Sequence, residues 1–390
     1  MIKKSINKDN LIMFFILFFC FEPKLAVKNS YFNIIYILGA ILSFIVIFLK
    51  YIKKYKASLF FYGLVLFRLS FFLQTLINHG DLLMWGYMSL VLMTLCMAFE
   101  HYLKYKPILF LNCIIIILNF LLIINFIISL FYPLGIIDAI FFIGIRTRIS
   151  DVIFPLLAIT LIRDALMKIR ISKQTFWSIL TSLLNVVKFR VTTTIIGLIC
   201  FATLYLIFVK RKRLRKLLNL RVIVYAGIII SFLFTFFNFS SLFSSILVNV
   251  FHKDASLSYR TQIWAESIKY LAKSPIIGQG LADNGNFIYW GYVNAPKSLW
   301  QAHNNWLQLL YDGGIVSMLI FISIINMNSV KLSRYYNKKI VSILLISMIV
   351  LFIVMISEIL IYTPYFYLII FVISNINYLV EKPRGMYEKS

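Results

Sequence analysis

"TTTIIGLICFATLYLIFVKRKRLRK", residues 192 to 216, is an apolar run of membrane-crossing length that ends in a block of lysine and arginine. A run near the ~20 residues needed to cross hydrocarbon satisfies its own backbone groups as a helix, and a basic block at its end marks the cytoplasmic side. Comparable runs recur along nearly all of the 390 residues, of which 61% are hydrophobic, 17% aromatic and 14% charged. An ordinary soluble domain carries about a quarter charged residues. The sequence therefore reads as an all-α polytopic membrane protein, a single integral membrane domain over residues 1–390. No sustained alternation points to a barrel.

Twelve spans are expected: 11–27, 31–49, 57–77, 82–99, 107–131, 152–166, 174–187, 191–209, 221–238, 305–327, 340–357 and 363–380. The weakest pair is 174–187 with 191–209, because the first is short for a span and could dip or tilt. The opening "MIKKSINKDNLIMFFILFFCF" is basic and then apolar, like a signal peptide, but no small-residue cleavage site follows; it is expected to stay as the first span.

A formal net charge of +25 would point to nucleic acid in a soluble protein. Here the positive residues sort by side instead, and no nucleic-acid partner is expected. With both termini in the cytoplasm, inner segments hold 26 of the 39 lysines and arginines and outer segments 11, while Arg68 and Arg163 lie within spans. "KRKRLRK", 210–216, reads as the topology anchor facing anionic lipid. Cys20, Cys96, Cys113 and Cys200 fall in apolar stretches without metal-ligand spacing and read as buried small hydrophobes. Two outer segments are long: 132–151 and the large loop 239–304, where function is expected to gather.

Within the large loop, Ser258 is a plausible N-cap for a helix running to about Lys273, before Pro275 and Gly278 stop it. Ile263, Trp264, Ile268 and Leu271 form an apolar stripe, so this helix lies on the membrane surface or packs on the bundle. Arg260 sits in its first turn, where the helix dipole gives a cation no support. "DNGNFIYWGYVNAPKSLWQAHNN", 283–305, mixes aromatic rings with amides and hydroxyls, which suits sugars and equally an interfacial aromatic belt. His303, one of only four histidines, then stands at the mouth of a span, either as a cap or headgroup contact or as a functional group.

The order Arg260-x-x-x-Trp264, Pro275-x-x-Gly278-x-Gly280, Ala302-His303-Asn304 and Asp312-Gly313-Gly314-Ile315 resembles the signature of the O-antigen ligase and Wzy-type polymerase superfamily. The motif-bearing part covers roughly residues 255 to 325. A further basic position of that family, of Ser-Arg-(Ser/Thr) type, is matched by Arg190 in "VVKFRVTTTIIG", with Phe189 in place of the serine. The acidic residue after the histidine motif is Asp312, and the usual Gly-x-x-Gly is reduced to Gly314-x-x-Ser317.

The resemblance implies a GT-C-like glycosyltransferase of the bacterial plasma membrane, about twelve transmembrane helices with one large extracytoplasmic loop. It also implies a glycan donor linked to undecaprenyl pyrophosphate. Such a donor demands charge neutralisation of its leaving group and a base for the attacking hydroxyl. Arginine suits the first because its planar fork binds phosphate oxygens bidentately. Neutral histidine, with an unperturbed pKa of roughly 6.5, suits the second. His303 and Arg260 are the expected catalytic pair; Arg190, Arg146 and Arg148 are expected on the pyrophosphate, with Asn304, Trp264 and Asp312 in support.

"GIRTRIS", 144–150, which supplies Arg146 and Arg148, reads equally as basic residues against lipid headgroups. Arg68, costly inside lipid, should face the bundle, as a structural pair for a carboxylate such as Glu358 or as part of the carrier path. His79 and Asp81 form a short outer turn. No Asp-x-Asp sugar-nucleotide motif stands out, and neither a metal nor a cofactor is expected. Membrane lipid is the surrounding partner, and the sequence leaves open whether a chain-length regulator also binds.

Three functions compete. A polysaccharide polymerase moves a growing chain from its carrier to the next carrier-linked repeat unit, a ligase moves finished glycan to another acceptor, and a flippase moves the lipid-linked unit itself. Charged residues strung through several spans and paired broken helices would favour the flippase, and neither pattern is evident. The polymerase is the preferred expectation.

Overall fold

The computed structural model describes residues 8–27, 29–53, 57–137, 139–210, 218–237, 260–281 and 301–381. Among these the elements are helices, with only isolated bridge pairs at Ile137–Ile140 and Ile140–Ile145 besides. In chain order they are α1 Lys8–Cys20, α2 Lys24–Val27, α3 Ser30–Ile52, α4 Leu59–Ile77, α5 Leu82–Tyr105, α6 Pro107–Phe131, a 3-10 turn at Arg146–Arg148, α7 Ile149–Leu166, α8 Lys173–Phe189, α9 Thr192–Lys210, α10 Leu220–Phe236, α11 Arg260–Leu271, α12 Asn305–Ser333, α13 Lys339–Met355, α14 Pro364–Ser374 and α15 Ile376–Val380.

Five of them, α3, α4, α5, α6 and α12, are long and apolar enough to cross a membrane on length and composition alone. Shorter apolar helices include α9, α10, α13 and α14. Each expected span carries a helix, but the first one is interrupted: α1 ends at Cys20, and α2 is a separate turn. Pro23 biases Glu22 away from helical backbone, which accounts for the stop. α13 and α14 are buried along nearly their whole length, whereas Ile34, Leu38, Leu42, Ile45 and Leu49 of α3 are exposed on one face, as lipid-facing residues should be.

The short helix α8 is turned inside out relative to a water-soluble helix. Thr175, Ser178, Thr181, Ser182 and Asn185 are buried, and Phe176, Trp177, Leu183 and Val187 are exposed. Its polar side zips onto α6: Thr181 donates to Asn119 at 2.8 Å, Asn119 donates to Ser178 at 2.9 Å, and Asn125 donates to Asn185 at 3.1 Å. Small and polar residues of this kind hold helices together where hydrocarbon offers no hydrophobic drive.

Contacts at the helix termini sort into two ends. At one end Asp9 pairs with Lys50 at 2.6 Å and Lys106 at 2.7 Å, Tyr51 donates to Glu100 at 2.5 Å, and Lys331 donates to the Ser374 carbonyl at 2.5 Å. At the other, the Leu25 amide reaches the Phe142 carbonyl at 3.3 Å, the Asp81 amide reaches Leu281 at 2.8 Å, and Arg148 reaches Ile359 at 2.7 Å. The segments meeting at each end are those that the charge count assigned to one side.

α12 is broken. Gly314 has φ 63° and ψ −167°, outside helical geometry. The backbone groups freed there are bonded by the segment that follows α11: the Gln279 and Gly280 amides donate to the Tyr311 and Asp312 carbonyls at 2.7 and 2.8 Å, and the Ile315 and Val316 amides donate to Pro275 and Ile276 at 2.9 and 3.0 Å. The same segment reaches α4, where Leu281 donates to Thr75 Oγ1 at 2.9 Å and Asn78 donates to the Gln279 carbonyl at 2.7 Å. A Cβ on Gly278 would lie 2.6 Å from the Asp312 backbone, at a φ of +74°. Gly278, Gly280 and Gly314 are thus required by close backbone approach and by left-handed turns, and Gly313 by the Ser317 side chain packed against it.

Gly278→Ala should lower the unfolding free energy by roughly 1–3 kcal/mol. Gly86, inside α5 and with nothing within 4 Å of an added Cβ, is the matched control, and Gly86→Ala should raise stability by up to about 1 kcal/mol. Thermal denaturation of both variants in the same detergent measures the difference.

Candidate functional site

Asn304 caps α12 and is spent on structure. Its side-chain oxygen accepts from the Trp306 and Leu307 amides at 3.1 and 3.0 Å, and its amide nitrogen donates to Ser231 at 2.7 Å, Thr235 at 3.2 Å and the Ile356 carbonyl at 3.3 Å. Asn305 accepts from the Leu360 and Ile361 amides, both at 2.9 Å. The two asparagines therefore weld the start of α12 to α10 and to the 356–363 loop between α13 and α14.

Among the described residues His303 is the member of the triplet whose side chain is not spent on such bonds. It takes φ 47°, a left-handed conformation uncommon outside glycine, and the chain turns there. The residue before it is clamped from two directions. Trp264, buried on α11, donates from Nε1 to the Ala302 carbonyl at 2.8 Å, and Gln308 accepts from the Ala302 amide at 2.8 Å. Gln308 in turn donates to Asp312 Oδ2 at 2.8 Å. Trp264 and Asp312 thus bear on His303 through Ala302, and Asp312 lies buried in α12, two turns from the histidine.

The apolar stripe of α11 packs on the bundle. Ile263 and Trp264 are buried, and Ile268 and Leu271 pack beside Trp264 with Leu307. That packing aims Arg260 at the 356–363 loop, where Nη2 meets Glu358 Oε1 at 3.2 Å; the Arg260 side chain is 17% exposed and that of Glu358 4%. The second Glu358 oxygen accepts from Thr147 at 3.3 Å. Arg148, next in the turn, donates to the Ile359 carbonyl at 2.7 Å, to Gln301 at 3.2 Å and to Asp151 at 3.3 Å. Lys24 adds a further cation near Arg148, Asp151 and Glu22.

These charges act on His303. Burial lowers its pKa from 6.5 to about 4; Glu358 pulls it back up, while Arg260 and Arg148 push it down. The imidazole is neutral throughout the physiological range and holds a lone pair for an incoming proton.

The structure brings together His303, Arg260 and Arg148. Arg146 and Arg190 are exposed, and among the described residues neither side chain bonds to Glu358 or His303. Arg190 caps α8 in a left-handed conformation, φ 48°, and with Lys188 rims a groove of about 540 Å³ walled by Phe126, Leu130, Leu183 and Val187. Arg68 is not the partner of Glu358. It donates to Ser89 at 2.9 Å and to the Trp85 carbonyl at 3.3 Å, and Asp312 is the carboxylate whose charge it feels.

Asp81 caps α5 through the Met84 amide at 2.8 Å. Ser258 and residues 283–300 of the aromatic stretch fall outside the described residues. Among the described residues no group of three or more His, Cys, Asp and Glu is placed to hold a metal ion.

Glu358 is the site residue that the sequence offers only as one possible partner of Arg68; in the structure its partner is Arg260. The available signal was a carboxylate within "MISEILIYTP", an apolar stretch on the same side as His303, in a chain with 14 acidic residues.

Residues 177–322 match a protein-family model described as O-antigen ligase. That domain contains Arg190, Arg260, Trp264, His303, Asn304 and Asp312, and it supports the O-antigen ligase and polymerase superfamily to which the motif order pointed. The Arg146–Arg148 turn and Glu358 lie outside it. No curated protein matches the chain.

The depressed His303 pKa has a consequence for stability. Above about pH 6.5 the histidine is neutral folded or unfolded and contributes no pH dependence. As pH falls from there toward 4, the unfolded chain takes up a proton that the folded chain refuses. Stability then falls by up to about 1.4 kcal/mol per pH unit. His303→Gln should remove that slope: melting curves at about pH 7.5 and about pH 4.5 should converge more closely for the variant than for the parent.

Proposed function

We propose that this chain is a metal-independent glycosyltransferase of the bacterial plasma membrane. In this scheme twelve helices cross the bilayer, both termini are cytoplasmic, and the His303 end faces outward. It polymerises surface polysaccharide, such as O-antigen, capsule or exopolysaccharide, by moving glycan from an undecaprenyl-pyrophosphate donor to a carrier-linked acceptor unit. The observation that carries the proposal is the placement of a neutral histidine within the field of two arginines at the mouth of α12.

In the reaction, an acceptor hydroxyl oxygen attacks the anomeric carbon of the donor sugar, and the bond from that carbon to the pyrophosphate oxygen breaks. The hydroxyl proton passes to the His303 imidazole, and the bonding electron pair leaves with the pyrophosphate. Displacement in one step inverts the anomeric configuration. Arg260 and Arg148 meet the growing charge of the leaving group, the contribution that preorganised sites usually make largest. Arg190 and Arg146, at the rim, are assigned to drawing in the lipid-linked anion.

Burial is the main cause of the depressed His303 pKa, and a pyrophosphate seated on the arginines offsets the part that Arg260 and Arg148 add to it. Donor binding therefore raises the basicity of the imidazole when the acceptor proton must be taken.

A second reading, ligation of finished glycan to a different acceptor, is favoured by the ligase description of the matching family. The donor half-reaction is the same for both. In cells lacking the gene, loss of a polymerase leaves single repeat units on the surface, and loss of a ligase leaves long polymer on the carrier. A flippase mutant instead traps units inside. His303→Ala, present in the membrane at the parent level, should reproduce the polymerase phenotype. Wild-type chain lengths from that variant would refute a role for His303 in transfer.

A further inference from the structure

Glu358 is 3% exposed, and both of its carboxylate oxygens are engaged. It reaches the start of α11 through Arg260 and the 146–148 turn through Thr147, two elements separated by more than a hundred residues of chain. Its loop is held from three further directions, by Asn305 on the Leu360 and Ile361 amides, by Asn304 on the Ile356 carbonyl and by Arg148 on the Ile359 carbonyl. Every segment that supplies a proposed reacting or phosphate-binding group at the mouth of α12 is thus fastened to one eight-residue loop, 356–363. That loop lies beyond the stretch matched by the family model.

The form of the Arg260 contact matters. One nitrogen, Nη2, meets one oxygen, and among the described residues this is the only bond of that guanidinium. A guanidinium has five N–H donors, so a single contact fixes its direction and leaves most of the fork available to a phosphate. The charges acting on His303 come from three elements: Arg260 on α11, Arg148 in the 146–148 turn and Glu358 on the loop. Two are positive and oppose an imidazolium. Glu358 is the one that favours it.

We infer, resting on the transfer reaction proposed above, that Glu358 is the positioning residue of the site: it holds Arg260 by one nitrogen with its fork open to the pyrophosphate, and it is the counter-ion for His303 while the imidazole carries the acceptor proton. The role belongs to its charge. A carboxamide of the same shape accepts from Arg260 through its oxygen and donates to the Thr147 hydroxyl oxygen through its nitrogen, which preserves the loop, but it leaves the imidazolium facing two arginines alone. Removing the carboxylate also makes the site more positive, so an anionic ligand is held as well as before or better. Binding and turnover should therefore separate.

The experiment compares full-length wild type, Glu358→Gln, Glu358→Asp, His303→Ala and Glu266→Gln. The last removes a half-buried carboxylate paired with Lys269 on α11 and serves as the control. Affinity for undecaprenyl pyrophosphate is measured on protein in nanodiscs, and glycan product is measured in cells lacking the gene, at matched protein levels. E358Q should bind the pyrophosphate at least as tightly as wild type while product falls about tenfold or more, E358D should recover part of the loss, and E266Q should match wild type.

Titration of the ring nitrogens in ¹⁵N-histidine-labelled protein gives a readout that a merely structural role would not move, with His303 assigned by difference against H303A. Its midpoint should shift to lower pH in E358Q. Three results would overturn the assignment: wild-type product from E358Q, joint loss of binding and product in E358Q, or an unmoved His303 midpoint. Wild-type product from H303A would instead overturn the transfer reaction on which the assignment rests.

Discussion

At Gly314 the backbone leaves helical geometry inside a helix that runs from Asn305 to Ser333, and the amides and carbonyls released there are bonded by Pro275–Gly280. At membrane depth such groups cannot be left to lipid, because each unsatisfied one costs several kcal/mol. The segment after α11 is therefore drawn into the break in α12, and α11 comes with it. Once α11 is docked, Trp264 reaches the Ala302 carbonyl and Arg260 reaches the 356–363 loop. The kink thus sets the distance between the arginine and the histidine although it contacts neither.

A second constraint is electrostatic. Arg148, Arg260 and Lys24 crowd one end of a helical bundle, where the effective dielectric is well below that of water and like charges repel strongly. Glu358 and Asp151 offset part of that charge and are themselves almost wholly buried. Buried ion pairs gain little net stability over apolar replacements, so their retention is better explained by the orientation they impose. Here the orientation is specific: among the described residues Arg148 is fixed by three acceptors, whereas Arg260 is held by one.

Much of this was legible in the sequence. Apolar runs of span length located a helix at each of the twelve positions, and the sorting of lysine and arginine grouped the segments that meet at the two ends of the bundle. The stripe of Ile263 and Trp264 announced a packed helix. The run 174–187 is ambiguous in the sequence because it is short for a span; in the structure α8 turns its threonines, serines and asparagine inward and its apolar residues outward. The break after Cys20 was missed although Pro23 stood in plain view. Glu358 stands in the sequence only as one possible partner of Arg68, because its pairing with Arg260 across 98 residues leaves no local trace.

The same asymmetry runs through the site. Arg260, Trp264, His303 and Asp312 lie in a segment whose spacing can be read as a pattern, because each is fixed by neighbours within α11, α12 or the chain that links them. Thr147, Arg148 and Glu358 are brought in from elements on either side, and their identities make sense only against partners that the fold supplies. A motif therefore marks the part of the site that is local in sequence. The charges that bear on His303 and the contact that aims Arg260 come from outside it: Glu358 raises the histidine against burial and two arginines, and it holds Arg260 by one nitrogen.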